Sequence, residues 1–345
     1  MDAGRICTGA DYVKDHLPRR WRNIMNILIL SCGTRNLLVR YFKEKGNGIE
    51  KVVGTDCSIY APALYDTDAH YIVPRMTEPN YLDTIIDICQ KEKINAVLPL
   101  QEDELYLIAS HKDLFTDIGV TPIVSGAEAV DLCRDKFVFY QHLKKHHLPA
   151  ITSVNSFEAF LKEQKAGAMS LPVFLKPTRG CGSVGIQKVE HLELLETLCK
   201  YADEEYLIQN FAKGEEYGAD IYMDLLSRKP VTIFVKKKLR MRAGETEKSV
   251  SYKDEKLFEL IQKTVATLDL CGPIDMDIFQ IGGEYYISEI NPRFGGGYPH
   301  AYNCGVNFPK LIANNIAGIE NTDATGAYEE GVCMLKYTDL MTLKP

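Results

Sequence analysis

No part of the chain limits its fold more than Pro273-Ile-Asp-Met-Asp-Ile-Phe-Gln-Ile-Gly-Gly-Glu-Tyr-Tyr-Ile-Ser-Glu-Ile-Asn-Pro-Arg-Phe-Gly-Gly-Gly297. Two apolar-polar runs meet at Gly282-Gly283, which predicts two short strands joined by a glycine turn. Asp275, Asp277, Glu289 and Asn291 are set along those strands. Glu289 and Asn291 are two apart and share a strand face, where an acid from the neighbouring strand can join them as a hard oxygen cluster. Acids beside a hairpin are usually solvated. Glu289, however, sits in the apolar run Tyr285-Tyr-Ile-Ser-Glu-Ile, where an unpaired charge is costly, and a metal explains it better. Magnesium suits such a cluster, and Arg293 could add a planar donor fork for phosphate oxygens. If Asp277 and Glu289 share a metal they must share a face. Their even separation then calls for an odd-numbered loop, most simply three residues around Gly282 and Gly283, unless a bulge intervenes.

The rest of the chain is long enough to serve such a site. Its 345 residues, 46% of them hydrophobic, can bury a large core and divide into two or three domains. A net charge of -7 argues against a nucleic-acid groove, so phosphates must be met by local groups. Ten cysteines without a C-x-x-C pair read as reduced and cytosolic. No run reaches the roughly 20 apolar residues of a membrane span, and the start lacks the roughly 7 to 15 residue apolar core of a signal peptide. The expectation is a cytoplasmic protein without a membrane or nucleic-acid partner. Residues 1–24 show no sustained period and read as an appendage, with Met25 an alternative start.

From residue 25 the pattern is strand, helix, strand. Ile27 to Ser31 and Lys51 to Asp56 flank a polar helix from about Thr34 to Lys45. A helix over Tyr81 to Lys91, with Leu82, Ile85, Ile86 and Cys89 at helical spacing, precedes a strand over Ile94 to Leu100. This predicts a doubly wound parallel domain over 25–122. Gly33 and Asp56 stand where a dinucleotide site would place them, but one glycine does not make G-x-G-x-x-G. Gln101 to Glu104 follows a strand at the carboxyl-end crevice where open sheets bind ligands, but the favoured reading is the first turn of the next helix, where the helix dipole favours acids. Lys236, Lys238, Arg240 and Arg242 alternate on one strand face, the usual mark of a solvated sheet surface. Gly295 to Gly305 reads as a loop, with Tyr298, His300 and Tyr302 as candidates for positioning a second substrate.

Lys176-Pro-Thr-Arg-Gly-Cys-Gly-Ser-Val-Gly185 joins two strand-like runs through three glycines. Backbone N-H groups there can face phosphate oxygens, and Lys176 can add a point charge. No Gly-Lys-Ser/Thr follows, so this is not a Walker loop.

Taken with that loop, Ser288-Glu-Ile-Asn-Pro-Arg-Phe-Gly-Gly-Gly297 resembles the metal-binding signature of ATP-grasp ligases. It is closest to the large chain of carbamoyl-phosphate synthetase and the stand-alone enzymes similar to it. The resemblance covers about residues 26 to 320. It implies an ATP-grasp fold after the first domain, with a lid over 123–210 and a mixed-sheet catalytic part over 211–345. It also implies ATP with magnesium, two ions in number and manganese a substitute, held by Asp277, Glu289 and Asn291. Arg293 would face the transferred phosphate, and Lys136, Lys176, Gly180, Gly182 and Ser183 would meet the phosphates. Gln209, Phe211 and Ala212 would line adenine, and Glu216 would take the ribose. Arg242-Ala-Gly-Glu245 falls where carbamoyl-phosphate synthetase has His-Thr-Gly-Asp. That departure suits an organic acid, whose carboxylate Arg242 could grip. The implied activity is a carboxylate-amine ligase releasing ADP and phosphate, with small-molecule substrates; a homodimer is the base-rate expectation for the assembly. A non-catalytic ATP-binding regulator and a biotin-dependent carboxylase-type enzyme are the alternatives.

Overall fold

In β1 (Asn26–Ile29) every side chain is buried, as a strand covered on both faces requires. It pairs in parallel with β2 (Lys51–Asp56) on one side and β4 (Ala96–Leu98) on the other. With β3 (Ala69–Ile72) and β5 (Thr121–Pro122) these make a five-stranded sheet of order β3-β2-β1-β4-β5. The crossovers carry α1 (Asn36–Lys43), α2 (Tyr81–Lys91), α3 (Glu102–Ser110) and α4 (Lys112–Thr116). The doubly wound expectation is met. The buried stripe of α2 is Tyr81, Ile85, Ile88 and Cys89, so Ile88 takes the place expected of Ile86. The structure, a computed structural model, describes residues 25–180, 185–242 and 244–344, and the segment 1–24 read as an appendage lies outside them.

Two helices, α5 (Ala127–Arg134) and α6 (Lys136–Lys145), lead into a second sheet. It is built from β6 (Ser153–Val154), β7 (Val173–Pro177), β8 (Gln187–Val189) and β9 (Tyr206–Asn210), in the order β6-β9-β7-β8. Helices α7 (Phe157–Lys165) and α8 (Leu192–Lys200) pack on it through Phe160 and Leu195, in a small core with Val173, Val189 and Ile208.

The third sheet is the largest. It holds β10 (Glu215–Met223), β11 (Pro230–Arg242), β12 (Glu245–Tyr252), β13 (Gly272–Ile281), β14 (Glu284–Asn291) and β15 (Cys333–Leu335). Their order is β14-β13-β10-β11-β12-β15, antiparallel throughout. Helices α9 (Glu255–Val265), α10 (Tyr298–Asn303) and α11 (Phe308–Ile316) complete the chain. Along β13, Ile274, Met276 and Ile278 are buried while Asp275 and Asp277 take the other face, the period of a sheet with one apolar side. The apolar side joins the first domain in one continuous core. There Tyr41 of α1 stacks on Tyr302 of α10 at 3.8 Å, and Phe42 meets Phe294 edge-on at 6.0 Å.

The stretch expected to be a loop after β14 is helical over Tyr298–Asn303, with Pro299 in its first turn and Tyr298 and Ala301 buried on one face. Among the described residues no helix is long and apolar enough to cross a membrane. Burial pushes the Cys32, Cys89 and Cys133 thiols up to about 12, as fits small core hydrophobes.

Candidate active site

The β13-β14 hairpin turns through two residues, Gly282 and Gly283, at φ of 60° and 89°. Both angles favour glycine, as in the tight hairpin turn whose twist matches its strands. This is not the three-residue loop expected from parity. The register shifts instead between Asp277 and Ile278, where Ser288 is the extra residue opposite them. That bulge restores the parity: Asp277 lies directly opposite Glu289, and Asp275 opposite Asn291. All four side chains therefore stand on the polar face of the sheet.

On that face each carboxylate has a different environment. Asp277 Oδ1 accepts from Lys238 Nζ at 2.6 Å, and the same ammonium donates to Glu216 Oε1 at 2.8 Å. Among the described residues Glu289, half-buried, accepts one side-chain hydrogen bond, from Asn291 Nδ2 at 3.4 Å, so its oxygens are largely unspent. Asp275 faces Arg293 Nη1 at 3.5 Å, and Arg293 Nη2 donates to Glu102 of the first domain at 3.0 Å. Burial works against the charge of Arg293, but Asp275 and then Glu102 outweigh it and hold its pKa above the usual value. Asp275 lies so close to this arginine because a run of glycines lets the chain fold down on it. A Cβ on Gly295 would stand 2.4 Å from Asp275 Oδ1.

The basic strand β11 departs from the solvated face expected of it. Lys236 and Lys238 are buried, Lys236 against buried Asp220, while Arg240 and Arg242 reach outward to Glu247. Two register shifts, on either side of Arg240, end the simple alternation. Room for the lysine stems comes from Gly218 opposite them, where a Cβ would press on both Cε atoms at 3.1 and 3.2 Å. Burial lowers the Lys238 pKa, and Asp277 and Glu216 more than reverse this, so it stays a cation. Arg242, 71% exposed, does not join the cluster.

The second sheet brings its own cation. Lys176, at the end of β7, donates to Gln209 Oε1 at 3.0 Å, and Gln209 donates in turn to Ser153 Oγ at 3.0 Å. Burial brings the Lys176 pKa down to about 8, and Glu289 across the cleft is the strongest influence holding it up. Lys136 begins α6, whose N-cap Asp135 accepts from the backbone N-H groups of Phe137 and Val138. Its ammonium donates to Gly180 O at 2.6 Å, at the start of the glycine loop. Gly182 and Ser183 of that loop lie outside the described residues. Phe211 packs against Phe174 with ring centroids 5.3 Å apart, beside half-buried Ala212.

The other singled-out residues serve packing. Tyr298 OH donates to Val306 O and accepts from Phe308 N. His300 lies between Ser249 and Val332, its pKa lowered to about 4 by burial and then by Lys236, and Tyr302 stacks on Tyr41. Gly33 N donates to Asp56 Oδ2 at 2.9 Å, so this acid shapes the loop after β1 instead of standing free for a ribose. Gln101 to Glu104 does enter the helix turn expected of it, yet Glu102 also reaches Arg293, which sequence reasoning missed. Its position at the carboxyl end of a parallel strand was the available signal. A cavity of about 500 Å³ beside the N-terminus of α6, lined by Phe137, Thr178 and Glu205 among others, contains none of the clustered carboxylates.

Two family models match the chain: a PylC-like N-terminal domain over 27–123 and an ATP-grasp domain over 133–297. Residues 133–297 are thus an ATP-grasp domain, set behind a PylC-like N-terminal domain. A curated relative is the carbamoyl phosphate synthase arginine-specific large chain of Geobacillus stearothermophilus, 23% identical over 273 residues, or 76% of this chain. The chain spans only 26% of that relative's length. In fold it is similar to N5-carboxyaminoimidazole synthetase from Staphylococcus aureus complexed with ADP. That match has a TM-score of 0.69 and 14% identity, covering 87% of this chain and 79% of the other. An L-amino acid ligase from Bacillus licheniformis matches at a TM-score of 0.64 and 17% identity, covering 85% of this chain and 74% of the other.

The family brings a divalent metal, and the donors on this ATP-grasp sheet fit one. Among the described residues no three His, Cys, Asp or Glu side chains gather as a cluster. The set is two carboxylates and an amide, all hard oxygen donors, with Glu289 in no ion pair among the described residues. Such a set holds magnesium when phosphate oxygens and water complete the shell.

Proposed function

We propose that the chain is an ATP- and magnesium-dependent ligase that phosphorylates a carboxylic acid and couples the acyl phosphate to an amine. The observation that carries this reading is the Asp277-Glu289 pair, set opposite each other on the face that Lys238 and Arg293 also occupy and toward which Lys176 is drawn. A pocket for nucleotide alone would not need two facing carboxylates. Magnesium held by Asp277, Glu289 and Asn291 would neutralise charge on the phosphates. Lys136, Lys176 and the loop of Gly180, Gly182 and Ser183 grip the phosphates, Gln209, Phe211 and Ala212 line adenine, and Glu216 takes the ribose. A carboxylate oxygen of the acid attacks the γ-phosphorus and ADP leaves. The amine then attacks the acyl carbon and phosphate leaves. The protein's part is positioning and charge neutralisation, so no side-chain nucleophile is required. We place this activity in the cytoplasm, in a homodimer, which sedimentation of the purified chain would test.

Hydroxylamine separates this reaction from phosphoryl transfer to a hydroxyl group. With a panel of carboxylic acids, ADP release is expected to depend on an acid and to yield a hydroxamate without any natural amine. Acid-dependent ADP release with no trappable acyl group would overturn the ligase reading.

A further inference from the structure

Arg35 has no part in the site so far. It lies on the loop between β1 and α1, and its guanidinium reaches the glycine run that follows Arg293. Nη1 stands 3.7 Å from Glu245 Oε1, too far for a hydrogen bond. It would lie 3.1 Å from a Cβ on Gly296, a tight contact that glycine avoids. Among the described residues the guanidinium makes no hydrogen bond, although its side chain is only 27% exposed. Glu245 is already taken by Lys336 Nζ, which donates to its other carboxylate oxygen at 2.8 Å. Burial lowers the pKa of Arg35, Glu245 opposes this, and the nearby Arg293 lowers it further. Two guanidinium groups thus share one space, and one of them has donors to spare.

The position of Arg35 is fixed by packing. It caps the start of α1, whose Tyr41 and Phe42 are locked against Tyr302 and Phe294. Phe294 follows Arg293 directly, so both guanidinium groups ride on one aromatic joint. Glu245 opens β12, four strands from β14 in the sheet order, so Arg35 stands where the glycine run after β14 meets β12.

We propose that Arg35 seats a carboxylate of the substrate, so that the first domain and the large sheet read it together. The inference rests on the ligase reading and adds the residue that recognises the substrate. A carboxylate fits because its two oxygens match the planar fork, and because the phosphates already have Lys136, Lys176 and Arg293. Arg242, which the sequence suggested for this grip, is paired with Glu247 at the exposed end of β11.

The seat can be tested without knowing the substrate. The full chain, loaded with magnesium and a non-hydrolysable ATP analogue, is treated with phenylglyoxal, and modification of each arginine is followed by peptide mass spectrometry. In acetate or succinate, Arg35 should react at least threefold more slowly than in chloride of equal ionic strength, with Arg242 unchanged. Equal rates at Arg35 would overturn the proposal. In the hydroxylamine assay, Arg35→Gln should raise KM for the acid at least tenfold, keep KM for ATP within twofold, and be partly rescued by Arg35→Lys. If, with amino acids replacing hydroxylamine and ADP release as the readout, only KM for the amino acid rises, the seat holds the carboxylate of the nucleophile. If neither moves in a variant with wild-type melting, Arg35 seats no substrate. Protection of Arg35 without any acid-dependent ADP release would sink the ligase reading and leave the carboxylate seat standing.

Discussion

Lys238 holds together two carboxylates that would otherwise repel each other, and its ammonium occupies an oxygen that a metal would want. Replacing it by Met leaves Asp277 and Glu216 partly buried without their cation, and both keep some solvent. The expected loss is therefore below that of a fully buried pair, roughly 1 to 3 kcal/mol in urea unfolding. Magnesium should recover more stability in Lys238→Met than in the wild type, because the freed carboxylates then need a counter-charge. A thermal shift that is equal in both proteins would contradict the metal assignment. Glu289→Gln removes one ligand charge at nearly constant shape. A rate loss of about a hundredfold, about 3 kcal/mol, is expected for hydroxamate formation, on the scale of losing one preorganised donor. A wild-type rate would take Glu289 out of the mechanism.

Hairpins set the register, and the register decides which carboxylates meet. Gly283 at φ 89° cannot accept a side chain without strain, so Gly283→Ala should cost about 1 to 2 kcal/mol, read as a shifted urea midpoint. Gly282→Asn at φ 60° should cost only a few tenths, since Asn tolerates that region. The β7-β8 hairpin is the element that should respond to nucleotide. If backbone donors in its glycine loop bind phosphate as proposed, ATP with magnesium is expected to slow amide exchange in the peptide spanning 177–187. Unchanged exchange at saturating nucleotide would argue against phosphate binding there.

Across the molecule, the joint between the first domain and the large sheet carries Glu102, Arg35 and the aromatic stack, and beside it lies a buried acid. Glu104 accepts from Ser31 and Tyr81 through one oxygen, while its other oxygen finds no partner among the described residues. Burial raises its pKa from 4.5 to about 7, against the pull of those hydrogen bonds. The folded state thus holds a proton that the unfolded chain has released, so stability from this group is full below 4.5 and falls as pH rises to about 7. The loss is about 3 kcal/mol. Glu104→Gln should remove that slope, so wild type and variant should diverge between pH 4.5 and 7.5 and run parallel above it. Parallel curves throughout would mean that Glu104 ionises normally.

Short-range order was legible in the sequence because period and turn chemistry act within a few residues. The strand-helix-strand start, helix Tyr81–Lys91 and the glycine turn all follow from local spacings. The family motif pointed to the ATP-grasp domain and supplied the metal set and the lid lysine as proposals. What the sequence left open were contacts between residues far apart in the chain. The bulge at Ser288, not a longer loop, restored the parity, and no local signal separates those two solutions. Lys238 looked solvated by alternation, but Gly218 on the next strand made room for it against Asp277 and Glu216. Arg242 had the right neighbours in sequence and the wrong end of the strand in space. Arg35 and Glu102 reach Glu245 and Arg293 only because the first domain packs against the large sheet. Local spacing could assign each residue its face, and only packing between domains could assign it a partner.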